Sequence, residues 1–81
     1  MLAPETIRDL IQSGLPDATV EVFGDDGTHF AARVTSPSFE GQSTLAQHRM
    51  VYATLGDRMG GEIHALSLKT QTPDSTGESA S

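Results

Sequence analysis

TVEVFGDDGTHFAARVT, residues 19–35, is the stretch on which the fold depends. Val20 and Val22 alternate with Glu21, and Phe30, Ala32 and Val34 alternate with Ala31 and Arg33. That two-residue period belongs to strands buried on one side. Between them, Gly24-Asp25-Asp26-Gly27 is turn chemistry, since glycine and aspartate tolerate the backbone of a tight reversal. The stretch reads as an antiparallel hairpin with strands over 19–23 and 29–35.

Working outward, Pro4 suits the first position of a helix, where its missing N–H would be unpaired anyway. Ile7, Leu10 and Ile11 follow on one helical face, and Gly14 is a natural stop before Pro16. On the other side of the hairpin, SPSFEGQS (36–43) is a connector with Ser43 as N-cap of a second helix. Leu45, His48, Tyr52, Leu55 and Met59 then recur at spacings of three and four, which predicts one helical seam, divided at Gly56 into a helix and a short final turn. Gly60-Gly61 ends it, and IHALSLKT (63–70) reads as a third strand. A strand–helix–strand connection normally leaves its two strands parallel. The expectation is a single α+β domain over residues 1–73, a three-stranded mixed sheet with both helices on one face. Residues 74–81, DSTGESAS, have nothing to bury and read as a disordered acidic tail.

Composition narrows the function. With 81 residues, 36% of them apolar, the chain has room for one small core and no second. It has no cysteine, which removes disulfides, thiol nucleophiles and zinc ribbons. No run approaches the ~18 apolar residues of a membrane span, and MLAPETIRDL lacks the basic and apolar stretches of a targeting peptide, so the expected setting is a reducing cytoplasm away from membranes. The net charge of −6 is concentrated in residues 4–26, where six acids face Arg8; residues 27–73 hold three acids and four bases. Such a chain repels phosphate at long range, which disfavours nucleic acid as a partner while leaving room for a local basic patch.

The side chains with chemistry are three histidines. His29 opens the second strand at an exposed loop edge, His48 lies in the apolar seam as a packed helix residue, and His64 starts the third strand on the pleat side of Leu66 and Leu68. They form no i, i+4 pair and no HExxH motif, and a structural zinc site needs four ligands, so they make no self-contained metal site. One or two imidazoles completing a site shared with another molecule remain open. No GxSxG elbow or GxxxxGK phosphate loop is present, and nothing else supports an enzyme. Gly24 to Gly27 spells GxxG, but between strands and with two carboxylates where a nucleic-acid phosphate would lie. Arg49, Arg58 and Lys69 are the cations available to a nucleic acid, and Gln47-His48-Arg49 on a helix suits either a phosphate contact or a solvated face. One tyrosine and three phenylalanines give no stacking platform.

From Phe39 to Pro73 the chain resembles the BolA family. The resemblance is carried by Phe39-Glu40-Gly41 with Ser43, His48-Arg49 followed by Val51-Tyr52 and Leu55, and Ile63-His64-Ala65-Leu66 running into Lys69-Thr70 and Thr72-Pro73. GDDGTHF resembles the hairpin loop that carries a His or Cys ligand in many members. The family implies a KH-like fold without the RNA-binding loop. It also implies a non-enzymatic partner of monothiol glutaredoxins in iron–sulfur and iron homeostasis, with a [2Fe-2S] cluster bridging the two proteins.

In that arrangement the glutaredoxin and glutathione supply thiolates, and the BolA-like chain supplies histidines. Carried over, the strand-three ligand falls on His64 and the hairpin ligand on His29, while His48 is structural or partner-facing. A chain without cysteine has to borrow its thiolates. Histidine in place of thiolate raises the potential of a cluster, as in Rieske centres, and makes binding acid-sensitive, with loss expected near pH ~6–6.5. The chain departs from the family in its short polar tail and in Gln47, where an arginine often precedes the histidine. The family's other described role, a DNA-binding transcriptional regulator, would turn His48, Arg49, Arg58 and Lys69 toward a duplex.

Overall fold

Helix α1 (Pro4–Gly14) starts on proline at its first turn, with Glu5 favourably placed against the positive end of the helix dipole. It buries Ile7 and Ile11 completely. At its end, a Cβ on Gly14 would run into the Thr54 side chain, so glycine here lets two helices approach closely. In the computed structural model, which describes residues 2–24, 26, 29–61, 63 and 65–73, α1 is followed by β1 (Thr19–Phe23), β2 (His29–Thr35) and a 3-10 turn (Pro37–Phe39). Helix α2 (Thr44–Leu55), a second 3-10 turn (Gly56–Arg58) and β3 (Ala65–Gln71) complete the order. The acidic tail, His64 and three residues of the hairpin turn (Asp25, Gly27 and Thr28) lie outside the described residues.

The sheet has the order β1-β2-β3. β1 and β2 are antiparallel, from Thr19 opposite Thr35 to Phe23 opposite Ala31. β2 and β3 are parallel, from His29 opposite Ala65 to Thr35 opposite Gln71. Val20, Phe30, Ala32 and Val34 are buried on one face, where Val20, Phe30 and Val34 join Ile7 and Ile11 of α1 and Val51 and Leu55 of α2 in one core, with Phe39 and Ile63 also fully enclosed. Both helices thus cover the same face. Glu21, Phe23, Ala31, Arg33, Ser67 and Lys69 line the opposite, open face. This is the α+β architecture expected from the sequence.

Two expectations need correction. Of the seam drawn through Leu45, His48, Tyr52, Leu55 and Met59, Leu55 is buried and Met59 packs against the core, but Leu45 and Tyr52 are exposed, and the other residue that α2 buries is Val51, off that line. The side chains flanking Val51 toward the core are the half-buried Gln47, Met50 and Thr54, so polar residues occupy positions that a hydrophobic pattern skips. The third strand begins at Ala65 rather than Ile63. Ile63 is held instead in a loop closure, its N–H donating to the Arg58 carbonyl (3.0 Å) while its own carbonyl accepts from Gly60 (3.0 Å). The Ser43 cap forms as expected, its hydroxyl accepting from the Ala46 N–H at 3.1 Å, and Gly56 ends α2 at φ +56°.

Candidate functional site

His29 is the first residue of the central strand, placed there by the hairpin turn. Its ring is exposed, and its Nδ1 lies 2.8 Å from Asp26 Oδ2; the other oxygen of the same carboxylate accepts the His29 backbone N–H at 2.8 Å. Beside it runs an open groove lined by Pro4, Glu5, Phe23, Gly24 and Phe30. A Cβ on Gly24 would press on the Phe30 ring, so glycine is what lets the chain leave β1 past that core side chain. The β2–β3 register sets Ala65 opposite His29, and Ala65 is the residue that follows His64 in the chain. His64 itself lies outside the described residues. Among the described residues, no three His, Cys, Asp or Glu side chains gather into a group able to hold a metal unaided.

His48 is elsewhere, half-buried on α2, with its ring edge-on to Tyr52 at 6.5 Å between centroids and 86° between planes. It is therefore not the enclosed core residue that the apolar seam suggested. Arg49 is exposed on the same helix. Lys69 lies on the other side of the sheet: its neighbour Thr70 donates to Gln47 Oε1 on α2 (2.6 Å), so Lys69 faces away from the helices. Arg58 sits in the 3-10 turn beyond α2. The set expected to face a duplex is divided between two sides of the sheet.

Residues 9–75 match the sequence model of a family described as BolA-like protein. This chain belongs to the BolA family. It is 36% identical over 76 residues to human BolA-like protein 1, an alignment covering 83% of this chain and 56% of the relative. A BolA homologue from Coxiella burnetii has the same fold, with a TM-score of 0.84 and 48% identity over 94% of this chain and 97% of that one. The BolA domain of SufE1 from Arabidopsis thaliana matches at a TM-score of 0.74 and 32% identity, covering 90% and 96% of the two chains. The full SufE-like protein is described as chloroplastic/mitochondrial, so kinship does not point to the cytoplasm in particular. The chain spans 56–61% of the length of the mammalian BolA-like protein 1 sequences that it matches. No helix among the described residues is long and apolar enough to cross a membrane.

Three features of this BolA-like chain escaped the sequence reading. Asp26 holds His29 by both its backbone N–H and its ring, and its only signal is an aspartate three residues ahead, within the reach at which a capping side chain accepts a backbone N–H. Gln47, read as a missing surface cation, braces the interior: its Nε2 donates to the carbonyls of Gln42 (2.9 Å) and Phe39 (3.4 Å) while its Oε1 accepts from Thr70. Asp17 joins distant segments, accepting from the hydroxyls of buried Ser36 (2.9 Å) and of Ser38 (2.6 Å). The Ser38 bond, with the Ser36 bond beside it, lowers the Asp17 carboxyl below the ordinary aspartate range.

Proposed function

We propose that this BolA-like protein is a non-enzymatic partner of a monothiol glutaredoxin, the two chains holding a [2Fe-2S] cluster between them with glutathione. One observation carries the reading. An exposed, carboxylate-braced imidazole stands at the head of β2, in register with the residue that follows His64, in a chain with no cysteine. Such a donor set fits a shared site, because it offers imidazole to a metal and cannot complete a coordination sphere alone. In this reading His64 and His29 supply the two nitrogen ligands and the partner and glutathione supply thiolates. The cluster is cargo in assembly, trafficking or iron homeostasis, and the setting is a reducing compartment such as the cytoplasm. The fusion of a BolA domain to a SufE protein in a relative supports an iron–sulfur context.

The test is to mix the purified chain with a monothiol glutaredoxin, glutathione and a reconstituted [2Fe-2S] cluster and to record visible absorption and circular dichroism. A new cluster spectrum, weakened by His64→Ala and by His29→Ala and unaffected by His48→Ala, is the expected result. An unchanged spectrum with no complex formed would leave the fold and remove this function.

A further inference from the structure

The strand registers arrange the open face of the sheet in rows: His29 beside Ala65, then Phe23–Ala31–Ser67, then Glu21–Arg33–Lys69. In the middle row an exposed phenyl ring stands next to two small side chains, and Phe23, Ala31, Ser67, Arg33 and Lys69 line one shallow trough. In the last row Arg33 Nη1 meets Glu21 Oε1 at 3.2 Å. Lys69 has no carboxylate within ion-pair distance among the described residues. We propose that this face is the docking surface for the monothiol glutaredoxin, with Phe23 as the buried anchor and Lys69 meeting a carboxylate of the partner. The proposal rests on the reading of the chain as a glutaredoxin partner, and it requires no particular state of the His29 ring.

A single exposed phenylalanine needs no explanation by itself. What distinguishes Phe23 is its place. It lines both the trough and the groove beside His29, so the two are one continuous surface. Ala31 is its partner across the strands, and His29 lies two residues before Ala31 on the same face. Such diagonal neighbours stand about 7–8 Å apart. An interface of ordinary size covers roughly 800 Å² on each partner, so a protein that meets the His29–Ala65 end of the sheet also covers Phe23. Binding energy in interfaces gathers on enclosed side chains of this kind, with charged residues at the rim.

The charges select the partner's side of the contact. Arg33 and Lys69 against Glu21 leave the face net positive in a chain of net charge −6. A partner surface carrying carboxylates is therefore steered here and away from the rest of the molecule. The helix-covered side has no such continuity with the proposed site: its exposed apolar residues, Leu45 and Tyr52, lie on α2 behind the sheet.

Calorimetric titration of the chain with a monothiol glutaredoxin tests the surface, first cluster-free and then with glutathione and the [2Fe-2S] cluster. We expect Phe23→Ala to weaken binding about 10–30-fold, the range of an interface anchor. Lys69→Glu is expected to weaken it about 3–10-fold, with the loss fading as salt is raised. Leu45→Ala, which trims another exposed apolar side chain on the helix side, is expected to bind as the unmodified chain does. Far-ultraviolet circular dichroism checks that each variant is folded, and sedimentation of the free chain at rising concentration reads its self-association.

Unchanged affinity in Phe23→Ala, with the complex intact, removes the docking surface and leaves the glutaredoxin reading standing. An equal loss in Leu45→Ala also overturns it, because any exposed apolar side chain then has the same effect. If the free chain forms dimers that Phe23→Ala abolishes while glutaredoxin binding is unaffected, a second copy is the occupant and the proposal fails. A loss in Phe23→Ala without one in Lys69→Glu keeps the anchor and strikes the ionic contact. No complex in either form removes the proposed function itself, and the docking surface with it.

Discussion

Phe23 and Phe30 are the same side chain on adjacent strands, yet they stand on opposite faces of one sheet. Phe30 is 4% exposed beneath the helices, and Phe23 is 56% exposed on the open side. The difference follows from strand alternation: one face collects Val20, Phe30, Ala32 and Val34, and the other collects Glu21, Phe23, Ala31 and Arg33. Stability is concentrated on the covered face. The histidine best suited to metal chemistry sits at the margin of the open one, where its loss disturbs no packing.

Substitutions test that division, from the strongest expected effect downward. Phe30→Ala removes a core ring and is expected to lower unfolding free energy by about 3–5 kcal/mol in urea denaturation. Phe23→Ala is expected to cost less than about 1 kcal/mol, since little of its surface is withdrawn from water. Comparable losses for the two would break the comparison. Gln47→Ala, which removes the partner of the half-buried Thr70 hydroxyl and one bond to each of the Gln42 and Phe39 carbonyls, falls between them at about 1–2 kcal/mol, read by the same titration.

The Asp17 carboxyl gives a smaller, pH-dependent effect. Its pKa is lower in the folded chain than in the unfolded one, so its contribution is complete above the unfolded value. That contribution disappears as the pH falls below about 4 and passes through the folded value. Thermal melts of Asp17→Asn and the unmodified chain are expected to differ at pH 7 and to converge in acid. Smallest of all is His29→Ala, expected to change stability by less than about 0.5 kcal/mol while weakening the shared cluster spectrum.

Much of this division was legible in the residues. The hairpin, the Ser43 cap and the covered face of the sheet follow from alternation and turn chemistry, because a two-residue period assigns every side chain to a face. Helix α2 was misread because apolar residues lie on several of its sides. Leu45 and Tyr52 therefore made a tidy seam that points to solvent, while the true contact line passes Gln47 and Thr54. Polar residues that brace an interior through long-range hydrogen bonds leave no periodic trace; Gln47 with Thr70 and Asp17 with Ser36 are of that kind. The candidate ligands were visible as residue types from a family resemblance. What holds His29 in place became visible only with the loop geometry of Asp26.

The parallel pairing of β2 with β3 also bears on the order of assembly. The hairpin closes across a few residues, whereas β3 reaches β2 only after the chain from 36 to 64 has crossed over, and closing the longer loop costs more entropy. We expect β1 and β2 to dock before β3 during refolding, which pulsed amide hydrogen exchange would read as earlier protection of the Val20–Val34 rungs than of the Phe30–Leu66 rungs. Equal protection times would contradict it. A nascent chain would then hold His29 on its hairpin before the strand that follows His64 arrives, so the shared site proposed above would be completed last.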